Sequence, residues 1–166
     1  MVAITPGTGG TFKSTSAEAL LAEIIDFLQL QEVNNIRNPN SRDYVKCSYD
    51  CNSYTMNASF NFPYIEALNA EGLLTASVPD YLTGTNFILG SGGTFKSTNV
   101  AGLCFEVAKF IDIAERDLNK NPKNENRIIV RQDVELLIAT GSISLPFTLT
   151  PTSIGARTAV ITPYLV

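Results

Sequence analysis

The sequence repeats itself at half of its length of 166 residues, so that each position in 1–83 has a counterpart in 84–166. The glycine-rich stretch 7–15 (Gly-Thr-Gly-Gly-Thr-Phe-Lys-Ser-Thr), here the first loop, returns at 90–98, the second loop, with serine in place of Thr8. Aligning the two ranges without a gap gives 22 identities, against about five expected from average composition. The pattern predicts a tandem duplication with a pseudo-twofold relation between a first repeat, 1–83, and a second repeat, 84–166.

The length indicates how the two repeats fold together. Each repeat has only 83 residues. This length is close to the lower limit for a domain that is stable by itself. The junction, Thr83-Gly84-Thr85-Asn86, is too short to act as a spacer. We therefore expect one compact domain in which both repeats share a core.

Hydrophobic periodicity predicts the same elements in each repeat. Apolar residues spaced as on one helix face (Leu20, Ile24, Phe27 and Leu28) recur at Leu103, Val107, Phe110 and Ile111. Strict alternation marks a long strand, with Tyr54, Met56, Ala58, Phe60 and Phe62 matched by Leu137, Ala139, Gly141, Ile143 and Leu145. The predicted elements are strands at 2–5 and 85–89, helices at 16–36 and 99–119, strands at 44–49 and 127–134, the alternating strands, and last strands at about 73–78 and 156–162.

These elements predict an α+β fold built from two β-α-β-β-β units. Two helices pack on one face of a mostly antiparallel sheet, and the other face, which carries Thr, Asn and Ser, meets water or a partner. Between the long and last strands, residues 65–71 are predicted helical, whereas 147–150 are predicted extended. The predicted starts and stops are a capping box of Thr15 with Glu18, a cap at Asn99 or Thr98, helix ends at Asn38-Pro39 and Asn121-Pro122, and strand ends at Pro63 and Pro146.

Composition restricts the classes of function. A net charge of −4 without a Lys/Arg cluster argues against a nucleic-acid partner. The sequence has no apolar run long enough for a membrane span and no visible signal peptide, so we expect a cytoplasmic protein without a membrane partner. A place in a virion or other particle is the alternative that these features leave open.

The cysteines occupy positions where the other repeat has aliphatic residues. Cys47, Cys51 and Cys104 correspond to Val130, Val134 and Leu21. They are interpreted as small buried apolar residues. A Cys47–Cys51 disulfide or a metal site is the alternative, but three cysteines without histidine make a poor zinc ligand set, and we expect neither metal nor cofactor.

The glycine-rich loops are the only motif that could carry binding chemistry. Each lies before a predicted helix, where backbone N–H groups and the helix dipole favour an anion. A Walker A loop needs glycine before its lysine, and here Phe12 and Phe95 stand there. Weaker binding of a small anion predicts these ligand-binding residues: Gly9, Gly10, Lys13, Ser14, Thr15, Gly92, Gly93, Lys96, Ser97 and Thr98. The structural alternative is a tight turn in which the phenylalanines fill the core and Ser/Thr cap the helix.

Catalytic groups are scarce. The absence of histidine excludes a Ser-His or Cys-His nucleophile, so we expect no enzyme and no catalytic residues. The recurring pairs of carboxylates are Glu23 with Glu106 and Glu32 with Glu115, interpreted as solvated, and Asp50 with Asp133, interpreted as turn residues.

Two functions follow. The first is a non-enzymatic structural or interaction protein that assembles with itself or with another protein. The alternative is a protein that binds a small anionic ligand with its paired loops.

Overall fold

The computed structural model describes residues 4–68, 70–85, 87–151 and 153–166. The strand pairings among them are antiparallel and accompany two helices, so the predicted α+β class is confirmed. The elements are α1 (Ala17–Glu32), β1 (Val45–Asp50), β2 (Thr55–Pro63), β3 (Ile65–Leu68), β4 (Leu74–Ser77), α2 (Val100–Glu115), β5 (Ile128–Asp133), β6 (Ile138–Pro151) and β7 (Arg157–Ile161).

One sheet organises the fold. Its strand order is β1-β2-β6-β5, β7 pairs with the far part of β6, and β3 and β4 form a separate hairpin. In the central pair, Ser59 lies opposite Ser142, its counterpart in the second half. The pairing of Val45 with Phe60 on one side is matched by Ile128 with Ile143 on the other. The register within the first half, 1–83, therefore recurs in the second half, 84–166.

The predicted two-faced sheet is confirmed. Alternate residues of β2 and β6 are buried, and the buried apolar side chains of both halves form one cluster. The helices contact each other and the strands β1, β5, β6 and β7. The outward face carries the exposed residues Asn57, Ser59, Asn61, Thr140 and Ser142.

Each long strand begins one residue later than predicted. Tyr54 and Leu137 have positive φ angles of 52° and 55° and lie in the hairpin turns, where both are exposed. The turns also contain the predicted aspartates. Asp50 Oδ1 accepts a hydrogen bond from the backbone N of Asn52 at 2.9 Å, and Asp133 does the same in the second turn.

The helices end four residues earlier than predicted, at Glu32 and Glu115. The side-chain amide of Asn38 donates to the carbonyl of Glu32 at 2.9 Å and to the carbonyl of Arg42 at 2.8 Å. Asn121 makes the same pair of bonds in the second half. These asparagines stabilise a turn that leaves the helix before proline is reached.

Two predictions at the helix starts are wrong. The N-cap of α1 is Ser16 and not Thr15, because the Ser16 hydroxyl accepts a hydrogen bond from the backbone N of Ala19. Glu18 does not close a capping box, because its side chain is buried and binds the backbone of Tyr164 and Leu165. In the second half the cap is Asn99, as one of the two predicted residues.

The strands predicted at 2–5 and 85–89 are wrong for those of their residues that the structure describes. Residues 4–5, 85 and 87–89 form no strand, while residues 2, 3 and 86 lie outside the described residues. The observed order is therefore one helix followed by four strands in the first half and by three in the second, among the described residues. The helix predicted at 65–71 is wrong, because strand β3 covers 65–68 and residues 70 and 71 lie in a turn, while Asn69 lies outside the described residues.

Proline ends only one of the two long strands. β2 ends at Pro63 as predicted, whereas β6 continues past Pro146 to Pro151. The continuation is possible because Pro146 lies where β6 leaves β2 and begins to pair with β7, starting at Phe147 opposite Ile161.

The cysteines are free thiols with different surroundings. Cys104 is buried as predicted, Cys47 is half-buried, and Cys51 is exposed, so the interpretation as a buried residue is wrong for Cys51. Cys51 lies in the hairpin turn after β1, where no core is available to cover it.

Candidate functional site

The two glycine-rich loops lie against each other. The backbone N of Thr8 donates to the carbonyl of Ser91 at 2.7 Å, and the reverse bond measures 3.0 Å. A Cβ on Gly10 would lie only 2.6 Å from the carbonyl oxygen of Leu89. Glycine is needed there because two backbones come into direct contact.

Each loop also binds the segment that precedes the other loop. The backbone N of Thr94 donates to the carbonyl of Thr5 at 2.9 Å, and the Thr94 hydroxyl accepts from the N of Thr5 at 2.7 Å. Thr11 and Ile88 exchange the same two bonds at 2.7 and 2.6 Å. These threonine side chains take the place of a strand ladder, which explains why no strand forms in the described residues before either loop.

A carboxylate of the chain already occupies two backbone N–H groups of each loop. Glu23 accepts from the backbone N of Lys13 at 3.1 Å and from the N and hydroxyl of Ser14 at 3.2 and 3.0 Å. Glu106 receives the corresponding three bonds from Lys96 and Ser97. The interpretation of these glutamates as solvated is therefore wrong, because each holds a loop onto its helix.

The other candidate ligand residues lie around these carboxylates. Lys13, Thr15, Lys96 and Thr98 are exposed, and the Lys96 ammonium donates to the carbonyl of Gly93 at 2.7 Å. Gly9 and Gly92 have positive φ angles of 75° and 74° and form the turns, as the structural alternative predicts, and Gly10 and Gly93 lie at the contact between the loops.

The phenylalanines of the loops fill the core beside the helix starts. Phe12 and Phe95 are both 6% exposed. Each meets a helix phenylalanine edge to face, at centroid distances of 5.4 Å to Phe27 and 5.3 Å to Phe110. The structural interpretation of the loops accounts for these residues fully.

An open groove of about 1020 Å³ lies beside the second loop, between α2 and the β3–β4 hairpin. Phe105, Phe110 and Ile113 supply apolar surface. The side chains of Lys96 and Lys109 supply positive charge, and those of Glu66 and Glu106 supply negative charge. The Lys109 ammonium donates to the side-chain oxygen of Gln132 at 3.1 Å. Sequence reasoning missed the groove because β4 and α2 are brought together only by the fold.

The carboxylates that end the helices bind the edge strands. Glu115 accepts from the backbone N of Arg127 at 2.7 Å, from the N of Ile128 at 3.0 Å and from the Tyr164 hydroxyl at 2.9 Å. Glu32 makes the matching contacts in the first half. The interpretation of Glu32 and Glu115 as solvated residues is therefore wrong. Burial raises the pKa of both carboxyl groups, although these hydrogen bonds act in the opposite direction.

The raised pKa of Glu115 predicts a pH-dependent stability. Because its folded-state pKa lies above the ordinary value of 4.5, protonation of Glu115 favours folding. This contribution is complete below pH 4.5 and is lost as the pH rises through the folded-state pKa. The free energy of unfolding of wild type and of Glu115→Gln should be measured in urea from below pH 4.5 to neutral pH. We expect the difference, wild type minus variant, to decrease as the pH rises. A difference independent of pH would contradict the effect of burial.

Comparisons of the chain with protein-family models, with curated proteins and with solved structures gave no match. Within the described ranges, no group of three or more Cys, Asp or Glu side chains is placed to hold a metal ion. The described helices also lack the length and apolar character that crossing a bilayer requires. The site is therefore interpreted from its own geometry.

Proposed function

We propose that the chain arose by tandem duplication and fusion of a unit that formed twofold dimers. Support comes from features that recur at the half-length spacing. Ser59 pairs with Ser142 and Thr8 bridges to Ser91, so residues at the same position of each half lie opposite each other at two places. The helices, the turns and the glutamate contacts recur at the same spacing.

We further propose that the protein is non-enzymatic and acts by assembling with copies of itself. The observation that carries this proposal is the turn between β5 and β6, where Val134 and Leu136 are 67% and 68% exposed and Leu137 is 40% exposed. Three aliphatic side chains at an exposed turn are unfavourable in water and are typical of a contact surface. We call these three residues the turn patch.

The corresponding turn of the first half supports this interpretation. Cys51 and Ser53 stand there at the positions of Val134 and Leu136, and Tyr54, which is 51% exposed, stands at the position of Leu137. The same backbone turn is thus formed without large aliphatic residues, so folding of the hairpin does not require them. The recurring glutamates favour a structural role as well, because their carboxylates are engaged by backbone N–H groups.

Sedimentation over a range of protein concentrations tests self-association. We expect wild type to form species heavier than the monomer, and Val134→Ser with Leu136→Ser to shift them toward the monomer, because the apolar contact is lost. Leu118→Ser is the matched control, since Leu118 is 65% exposed but lies outside the turn. A wild type that stays monomeric at every concentration would overturn the proposal.

The groove favours a second candidate function, the binding of a small anionic ligand near the second loop. Since Glu106 occupies the loop N–H groups, the ligand would contact the side chains of Lys96 and Lys109 from the groove. Such a ligand would pair with two ammonium groups beside an apolar wall.

Thermal unfolding with added phosphate, sulfate or nucleotides tests this candidate. We expect a rise in the melting temperature of wild type that disappears in Lys96→Gln with Lys109→Gln. Lys13→Gln is the matched control, because Lys13 holds the equivalent position in the first loop. No rise with any of these anions would exclude the candidate.

A further inference from the structure

The structure has two exposed hairpins that correspond to each other at the half-length spacing. The first arm, 65–77, is the β3–β4 hairpin, and the second arm, 148–160, is the end of β6 with β7. Each residue pair of the first arm recurs in the second arm. All residues of β3 and the first four residues of β7 are exposed. Because a two-stranded hairpin without a covered face is only marginally stable in water, a further strand beside either arm would stabilise it.

Alternate residues of the second arm direct their backbone groups to the outer side of β6, away from β7. The backbone N of Thr162 donates to the carbonyl of Pro146 at 2.9 Å, so these two residues form a hydrogen-bonded pair. In an antiparallel ladder such pairs occur at every second position. Leu149 and Pro151 fall between these positions and therefore direct their backbone groups outward.

The residue before each arm agrees with this alternation. The backbone N of Phe147 donates to the carbonyl of Tyr54, outside the hairpin, at 3.0 Å, and the N of Tyr64 donates to the carbonyl of Leu137 at 3.0 Å. Phe147 and Tyr64 correspond to each other at the half-length spacing. The backbone of β3 therefore alternates in the same way as the end of β6.

The outer edges of the two arms differ in their capacity to bind a further strand. The outward residues are Glu66 and Leu68 in the first arm and Leu149 and Pro151 in the second. Proline has no backbone N–H, and on an edge strand it opposes pairing with another strand. Leu68, at the position of Pro151, has an N–H and is 68% exposed. Of the two arms, the first therefore has the open edge.

The edge strands of the main sheet are protected in other ways. The side-chain amide of Gln29 donates to the carbonyl of Cys47, in the middle of β1, at 3.4 Å. Glu115 accepts from the backbone N of Ile128, the first residue of β5, at 3.0 Å. Both strands also carry charged residues of both signs. Because bound side chains and charges on an edge strand oppose pairing with another chain, β3 is favoured over β1 and β5.

We propose that two copies of the chain pair through the outer edges of β3, antiparallel about a twofold axis at Ala67. This inference rests on the proposed self-association and specifies its geometry. With Ala67 on the axis, Glu66 of each copy lies opposite Leu68 of the other, and their outward backbone groups exchange hydrogen bonds. An axis at Glu66 would instead place two carboxylates directly opposite each other, which is unfavourable.

The turn patch continues the surface on which the second copy lies. The hydrogen bond from Tyr64 to the carbonyl of Leu137 joins the base of the first arm to this patch. Ile65, the first residue of β3, is 54% exposed. A second copy on the β3 edge therefore shields apolar side chains of both the arm and the patch. The backbone hydrogen bonds supply further affinity, as they do when a strand is added to a sheet.

The twofold contact closes at the dimer. Each copy uses the same edge, so no β3 edge is left for a third copy. The second arm does not extend the assembly, because Pro151 blocks its outer edge. The difference between Leu68 and Pro151 thus sets the size of the assembly.

Leu68→Pro tests the pairing. The second arm shows that the same hairpin forms with proline at this position, and the outward N–H takes no part in the ladder with β4. We expect the dissociation constant of the dimer to rise at least about tenfold, because each Leu68 loses the hydrogen bond that its N–H donates to the other copy. Sedimentation over a range of protein concentrations measures the change. Leu68→Thr is the matched control, since it removes the apolar side chain but keeps the N–H, and it should dimerise more tightly than Leu68→Pro.

Pro151→Leu tests the closure. This substitution gives the second arm an outward N–H, so the chain then has two open edges. We expect wild type to stop at the dimer and Pro151→Leu to form larger species in the same sedimentation experiment. If Leu68→Pro does not fold, as circular dichroism would reveal, Pro151→Leu tests the proposal alone, because a variant that still stops at the dimer contradicts the role of Pro151.

The outcomes separate the geometry from the association itself. Equal dissociation constants for Leu68→Pro and Leu68→Thr, or a wild type that assembles past the dimer, would overturn the β3 contact and leave self-association standing. A monomeric wild type would overturn self-association as well.

Discussion

Gly141→Ala is expected to lower the free energy of unfolding by about 3 kcal/mol, because Gly141 faces a buried aromatic ring without room for a methyl group. A Cβ on Gly141 would overlap the ring of Phe60. Phe60 is 2% exposed and stacked on Phe62 with ring centroids 4.9 Å apart. The ring therefore cannot move aside without displacing its neighbours. Urea unfolding followed by circular dichroism measures the loss.

The equivalent pair in the sheet supplies a matched rescue. Ala58 lies opposite Ile143, and these residues correspond to Gly141 and Phe60 at the half-length spacing. Phe60→Ile added to Gly141→Ala copies this pair and should recover most of the lost stability. Phe60→Ile alone leaves a cavity and should cost about 1–3 kcal/mol. If the two substitutions were simply additive, direct contact between the residues could not be the cause.

Glu18→Ala is expected to lower the free energy of unfolding by about 2–4 kcal/mol, because two backbone N–H groups lose their acceptor. Glu18 is fully buried at the start of α1, and its Oε2 accepts from the backbone N of Tyr164 at 2.7 Å and of Leu165 at 2.9 Å. Leu165 is 1% exposed. Loss of these bonds should loosen the C-terminal segment, measurable as a lower melting temperature and faster hydrogen exchange at both amides.

In the first half, a different residue accepts the hydrogen bond from the backbone N of Leu82, which is the counterpart of Leu165. Ala101 stands at the position of Glu18, and Asp80 stands at the position of Pro163. The carboxylate of Asp80 accepts from the backbone N of Leu82 at 3.1 Å. Pro163→Asp should therefore restore part of the stability lost in Glu18→Ala. Glu18→Gln keeps an acceptor and should lose less than Glu18→Ala. Equal stability of wild type and Glu18→Ala would show that these hydrogen bonds are dispensable.

The parts of the fold that could be predicted depend on local periodicity. The centres of both helices and the alternation of the long strands follow from apolar spacing, because a helix and a strand each present one face at a fixed period. The pairing of the two long strands with each other could not be predicted from that spacing. The ends of the helices and strands could not be predicted in this way either. The turn after Glu32 depends on Asn38, which closes it through two carbonyl groups, and the path of β6 past Pro146 depends on the arrival of β7.

The candidate site was predictable to a similar extent. The positive-φ glycines and the buried Phe12 and Phe95 follow from the motif itself. The contacts of Glu23 and Glu106 do not follow from the motif. A glutamate on the polar side of a helix can be solvated or can bind a loop that folds back onto the helix, and the spacing is the same in both cases. Ligand binding by the loops stays a prediction.

The sequence by itself determined the repeat at half of the chain length, the α+β class and the division of the sheet into an apolar and a polar face. Only the tertiary structure decided which carboxylates hold the loops, where the helices end and which strands remain at the edges. The physical reason is that burial patterns are set by the geometry of a single element. Hydrogen-bond partners instead depend on the tertiary fold. Glu18 and Leu165, for example, are far apart in the sequence and come together only when the core has formed.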